Sequence, residues 1–181
     1  MFKLTGTLLV MSFVCALILA GIYKKTAPVI AMQKQIILDQ SLKSVLSADH
    51  YKYQQKEGIM PYYEAFDKQD KLLGWCLQLT SSGYGGQMQL LVGIDTEKAI
   101  TGVKVLEHKE TPGLGSKINE LKYKETEPAF LRQFKNKKYT DLTFFKNGDK
   151  DKIQAITGAT ISSKAVLDGV RLGIEAFLKN Y

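Results

Sequence analysis

From Leu72 to Glu107 the chain reads LLGWCLQLTSSGYGGQMQLLVGIDTEKAITGVKVLE. Two stretches of it, Leu72 to Thr80 and Gln87 to Ile94, are apolar enough for strands buried on at least one face. A third, Ile100 to Glu107, alternates apolar with polar side chains as a half-buried strand does. SSGYGG connects the first two with glycines, and Asp95 to Lys98 supplies turn residues between the second and third. Short turns between consecutive strands predict a twisted, mainly antiparallel sheet.

Downstream, HKETPGLG (His108 to Gly115) reads as a loop. Glu127 to Phe134 is expected to form a short helix with Pro128 at its start, and Tyr139 to Phe145 a further strand. The last element is the clearest: Val166, Val170, Ile174 and Phe177 recur at spacings of three and four. Leu167 and Leu178 widen that stripe into an amphipathic helix running nearly to Tyr181. Strands followed by helices place the chain in the α+β class.

At the other end, Leu4 to Tyr23 reads LTGTLLVMSFVCALILAGIY, with no charge between Lys3 and Lys24. About 20 apolar residues rising ~1.5 Å each cover the ~30 Å hydrocarbon core, so this is expected to be a transmembrane anchor over 1–25 in contact with the lipid bilayer. A cleaved signal peptide is the competing reading, although its apolar core is usually only about 7 to 15 residues. Val14 and Ser12 ahead of Cys15 fit a lipidated cysteine poorly. Lys3 lies on one side of the span and Lys24, Lys25 and Lys34 on the other, which on the positive-inside count alone slightly favours a cytoplasmic domain. After Pro28, Ile30, Ile36, Ile37, Val45 and Leu46 fall near helical spacing. The stretch 26–60 is accordingly read as a helical linker docking on a domain that occupies 61–181.

The bulk composition excludes several functions. With 181 residues, 45% hydrophobic and 24% charged, the chain is an ordinary folded protein. Its net charge of +7 does not point to nucleic acid, because the lysines between Lys117 and Lys152 alternate with Glu120, Glu125, Glu127, Asp141, Asp149 and Asp151. Cys15, Cys76, His50 and His108 are the only cysteines and histidines, too few for an iron-sulfur cluster or a structural zinc site of the usual kind.

ITGATISS, from Ile156 to Ser163, immediately precedes the last helix. Backbone N–H groups at a helix N-terminus, together with the helix dipole, suit a phosphate. Read from the residues alone, Thr160, Ser162 or Ser163 capping the helix is the simpler account.

TGATISS nevertheless resembles the flavinylation motif of the FMN-binding domain family, found in the G-type subunit of the Rnf ion-translocating complex and the C-type subunit of the sodium-pumping NADH:quinone oxidoreductase. The resemblance implies that Thr160 carries FMN through a phosphoester, with Thr157, Gly158, Ala159 and Ser162 around it. A second segment, ETPGLG, resembles the family's flavin-facing loop. It implies polar contacts from Glu110 and Thr111 and Leu114 covering the ring, while Pro112 stiffens the loop and Gly113 and Gly115 allow its backbone to approach a flat ligand closely. GYGGQMQLLVGID, from Gly83, resembles the sheet beside the flavin, where Tyr84 is placed to stack, although packing alone explains such an aromatic.

The chain departs from the family pattern at Gln154, where the flavin transferase that installs FMN meets an aspartate; Asp151 lies three residues further upstream. On this resemblance the chain is an electron-carrier subunit of an Rnf-type complex linking ferredoxin and NAD redox chemistry to ion movement. Other subunits of the complex would be its partners, and its flavin domain would lie on the outer face. One helix without an internal charged residue offers no ion path of its own. Two other readings stay open: a membrane-tethered assembly module lacking covalent flavin, for which Gln154 is the motive, and a free-standing extracytoplasmic flavin reductase.

Overall fold

The computed structural model describes residues 2–121, 123–144 and 152–181, without the side chains of residues 2 and 3. It contains a five-stranded antiparallel meander in the order β1 to β5: β1 His50–Gln54, β2 Tyr62–Phe66, β3 Leu72–Ser82, β4 Gln87–Asp95 and β5 Ile100–Glu107. Among the described residues three α-helices accompany it, α1 Phe2–Val45, α2 Ala129–Arg132 and α3 Thr160–Asn180. The α+β expectation and the three central strands are as read from the sequence.

Two compact units divide the chain, Met1–Asp39 and Gln40–Tyr181. In the first, α1 is apolar and exposed from Leu4 to Tyr23. The helix runs through Pro28, because one proline removes a single N–H and the rungs on either side remain. Of the apolar stripe expected to dock, Ile30, Ile36 and Ile37 are exposed, and only Val45 and Leu46, joined by Leu42, are buried.

The second unit begins ahead of residue 61 because it includes two strands that the sequence does not predict. β1 (HYKYQ) and β2 (YYEAF) pair with each other from His50↔Phe66 to Gln54↔Tyr62, and β2 continues onto β3. Both are short and interrupted by Lys52 and Glu64, which hides the alternation, though their tyrosines favour strand.

One sheet face carries Leu77, Leu79, Met88, Leu90, Val92 and Ile94, all at 5% exposure or less. Val166, Val170, Ile174 and Phe177 of α3 join them in one core, with Phe130, Leu131 and Phe134 from the α2 region. Each such side chain contributes roughly 1.5–3 kcal/mol by leaving water. Ser81 Oγ donates to Ala165 O at 2.6 Å, tying α3 to β3. The opposite face presents the paired glycines Gly93 and Gly102. A Cβ on either would strike the Val45 backbone, so the last turn of α1 lies directly on the sheet, where Thr101 Oγ donates to Val45 O at 2.5 Å. Cys76 is fully buried, and desolvation pushes its thiol up to about 12; it is an inert core residue.

Pro128 precedes α2, as expected. The strand expected from Tyr139 to Phe145 is not formed over the described part. Tyr139–Asp141 is a 3-10 turn, and Phe144 makes a single parallel bridge to Ile153, while Phe145 lies outside the described residues. Just ahead of this segment the chain bonds to the start of β5, Ile100 N donating to Lys137 O (2.9 Å) and Asn136 N to Ile100 O (2.7 Å).

Candidate functional site

ITGATISS folds as a turn leading into a helix. Ile156 O accepts the Ala159 N–H at 2.9 Å, closing a four-residue turn whose third residue, Gly158, has φ +78, a conformation costly for any side chain with a Cβ. Ser163, one turn into α3, latches it. Its Oγ accepts the Ile156 N–H at 3.0 Å and donates to Ala159 O at 2.9 Å. Helix α3 then starts at Thr160 with Ala159 at the cap position, and among the described residues no side chain caps it. The capping account therefore fails: Ser163 is spent on the turn, and Ser162 Oγ donates to Glu110 Oε2 at 2.6 Å.

Thr160 is exposed at the head of the helix. The N–H groups of a first helical turn have no partner inside the helix, so an exposed hydroxyl, unpaired donors and the positive end of a dipole coincide at one place.

The second loop comes to the same place. Thr111 O accepts from both Leu114 N and Ser116 N (3.2 Å each), and Ser116 Oγ accepts from Gly113 N at 2.9 Å, with Gly113 at φ +75. This compact loop presents Leu114, 49% exposed, outward. The turn between β3 and β4 closes through Gly83 N to Gly86 O at 2.8 Å and displays Tyr84, 72% exposed.

Together these segments line an open cleft of about 400 Å³ formed by Tyr84, Glu110, Thr111, Leu114, Gly115, Gly158, Ala159, Thr160, Ile161 and Ser162. That volume is in the range of small-molecule sites, ~300–1,000 Å³. Its exposed apolar side chains, Tyr84, Leu114 and Ile161, suit a flat aromatic ligand, and its helix N-terminus suits a phosphate. FMN has both parts, so the residues present fit it.

Of the residues singled out in the sequence, Pro112, Gly113 and Thr157 do not line the cleft. Gly113 and Thr157 shape the turns behind it. Ile161 was not anticipated, although a signal existed: it is an apolar residue at the start of the helix that lies off the buried stripe. Glu110, expected to meet the ligand, meets the protein with both oxygens, for Oε1 accepts the Gly85 N–H at 3.1 Å while Oε2 takes Ser162. His108 is structural, its Nδ1 accepting the Glu110 N–H at 3.3 Å. At the departing position, Gln154 is exposed and its main chain is held in a reciprocal pair with Gln133, through Gln154 N to Gln133 Oε1 (2.7 Å) and Gln133 Nε2 to Gln154 O (3.3 Å). Asp151 lies outside the described residues.

Comparison with known proteins bears on this cleft directly. Residues 83–175 match the family model described as the FMN-binding domain. The G-type subunit of the proton-translocating ferredoxin:NAD(+) oxidoreductase complex of Clostridium ljungdahlii is 36% identical across 96% of this chain and 90% of its own length. Its counterpart in the ion-translocating oxidoreductase complex of Methanosarcina acetivorans is 32% identical across 96% and 92%. Among solved structures, NqrC of Shewanella oneidensis shares the fold, with a TM-score of 0.54 at 21% identity over 75% of this chain and 70% of that one.

Proposed function

The chain belongs to the family of G-type subunits of ion-translocating oxidoreductase complexes, with its FMN-binding domain, and from that premise we propose that it carries FMN as a phosphoester on Thr160 and relays electrons within a membrane complex that couples ferredoxin and NAD chemistry to ion movement. The observation that supports this best is the head of α3: Thr160 is exposed on a cleft whose loops converge on it, with no side chain among the described residues occupying the helix N-terminus. Attachment would form the Thr160 Oγ–phosphorus bond as the P–O–P bond of a flavin dinucleotide donor breaks, the hydroxyl giving up its proton and a nucleoside monophosphate leaving, and a flavin transferase would perform it on the exposed segment around Gln154. The flavin supplies the redox chemistry. The protein's part is to hold the phosphate on the first turn of α3, to flank the ring with Tyr84, Leu114 and Ile161, and to place Thr111 at its polar edge.

Residues 1–25 act as a single-pass anchor in the lipid bilayer, and the segment after it carries the flavin domain on the extracytoplasmic side. Ion movement needs the other subunits, because α1 has no charged side chain between Lys3 and Lys24 to move an ion. Two experiments test the reading. In-gel flavin fluorescence of the chain from its native membrane should be lost in Thr160→Ala, and integral membrane subunits should copurify with it. A free-standing reductase would copurify alone; a tethered module would show no flavin. Protease added to intact cells should reach the domain, and protection there would reverse the topology.

A further inference from the structure

Glu110 is 6% exposed, and among the described residues no cation is paired with it. A buried carboxylate without a counter-ion is costly unless its oxygens are taken up by donors. Both are. Oε1 holds the Gly85 N–H of the turn between β3 and β4, and Oε2 holds the Ser162 hydroxyl of α3. The Glu110 N–H is fixed in turn by His108. Three segments far apart in sequence therefore meet on one side chain.

The surroundings are built for that side chain. A Cβ at Gly83 or Gly115 would collide with the Glu110 carboxylate, and one at Gly85 would collide with the Lys109 carbonyl. Glycines at these places let the turn and the loop close over Glu110. By taking the hydroxyl of Ser162, Glu110 also leaves the backbone N–H groups of the first turn of α3 to a phosphate.

We infer that Glu110 is the positioning residue of the cleft, a charged clasp that holds the Gly83–Gly86 turn, the 108–114 loop and the head of α3 in one frame around the flavin. It orients Tyr84, Leu114 and Thr160 without itself being spent on the ligand. Its negative charge, held in a buried place on the wall of the cleft, disfavours the added negative charge of a reduced flavin.

This rests on FMN occupying the cleft, and the test separates the two ideas. Glu110→Gln keeps an oxygen for the Gly85 N–H and places an amide against Ser162 Oγ, which can rotate to accept from it; only the charge is lost. Glu110→Ala removes the clasp. Full-length chains purified from the native membrane are compared by intact mass, potentiometric titration and hydrogen exchange at Gly85. The inference expects the glutamine variant to retain its flavin and its slow Gly85 exchange. Its reduction equilibrium should move toward reduced flavin by about tenfold or more, tenfold being the scale of a unit charge ~12 Å away at an effective dielectric of ~20. In the alanine variant Gly85 should exchange roughly tenfold faster or more, the scale of one lost hydrogen bond to a charged group.

An unshifted potential in a fully flavinylated glutamine variant, or unchanged Gly85 exchange in the alanine variant, would overturn the clasp. Absence of flavin from the wild-type chain would defeat the FMN reading instead, and Gly85 exchange would still decide whether Glu110 holds the frame.

Discussion

The two ends of α3 are built in opposite ways. At its C-terminal end Phe177 lies fully buried against Tyr62 (ring centroids 5.1 Å apart), Trp75 (6.0 Å) and Tyr181 (5.0 Å), an aromatic knot that seals the sheet. At its N-terminal end Thr160 and Ile161 stand exposed, and among the described residues no side chain caps the backbone. A helix usually has its first N–H groups satisfied. Here packing at one end holds the helix in place, and the other end is left open to a ligand. The site is the part of the helix that stability does not need.

If that division holds, substitutions at the two ends should separate stability from flavin attachment. Phe177→Ala should destabilise the domain most, by about 3–5 kcal/mol in urea unfolding, while chains that remain folded still carry flavin on Thr160. Gly158→Ala should cost roughly 1–2 kcal/mol, because alanine must adopt φ +78. It should also slow flavin attachment, measured by fluorescence against time, since the turn it strains presents Thr160. Ser163→Ala, which unlatches the same turn, should cost about 1 kcal/mol. Thr160→Ala should change the unfolding midpoint least, within about 0.5 kcal/mol, as an exposed residue with no packing role. A large loss of stability in Thr160→Ala would break the comparison, because it would make the open end structural after all.

The sequence announced these two ends unequally. The stripe Val166, Val170, Ile174 and Phe177 was legible because a helix repeats its buried face every three or four residues, and β3 to β5 because apolar runs were set between glycine-rich or polar turns. β1 and β2 were not: five-residue strands broken by Lys52 and Glu64 show no periodicity, and they become strands only by pairing with one another and with β3.

At the site, the convergence of two loops on Thr160 was readable through their resemblance to a family. The role of Glu110 was not. Its partners, Gly85 and Ser162, are 25 and 52 residues away, and only the fold places a single carboxylate between them. Ile161 stayed hidden because helical periodicity marks the buried stripe, whereas the residues that line the cleft lie outside it.

The proposed function rests on one bond, that between Thr160 Oγ and the phosphorus of FMN. Intact mass of the full-length chain from its native membrane, followed by peptide mapping over Ile156 to Lys164, tests it most directly. The expected result is an added FMN phosphoester located on Thr160 and missing from a folded Thr160→Ala chain. A native chain without the added mass, or with it on another residue, would contradict the account.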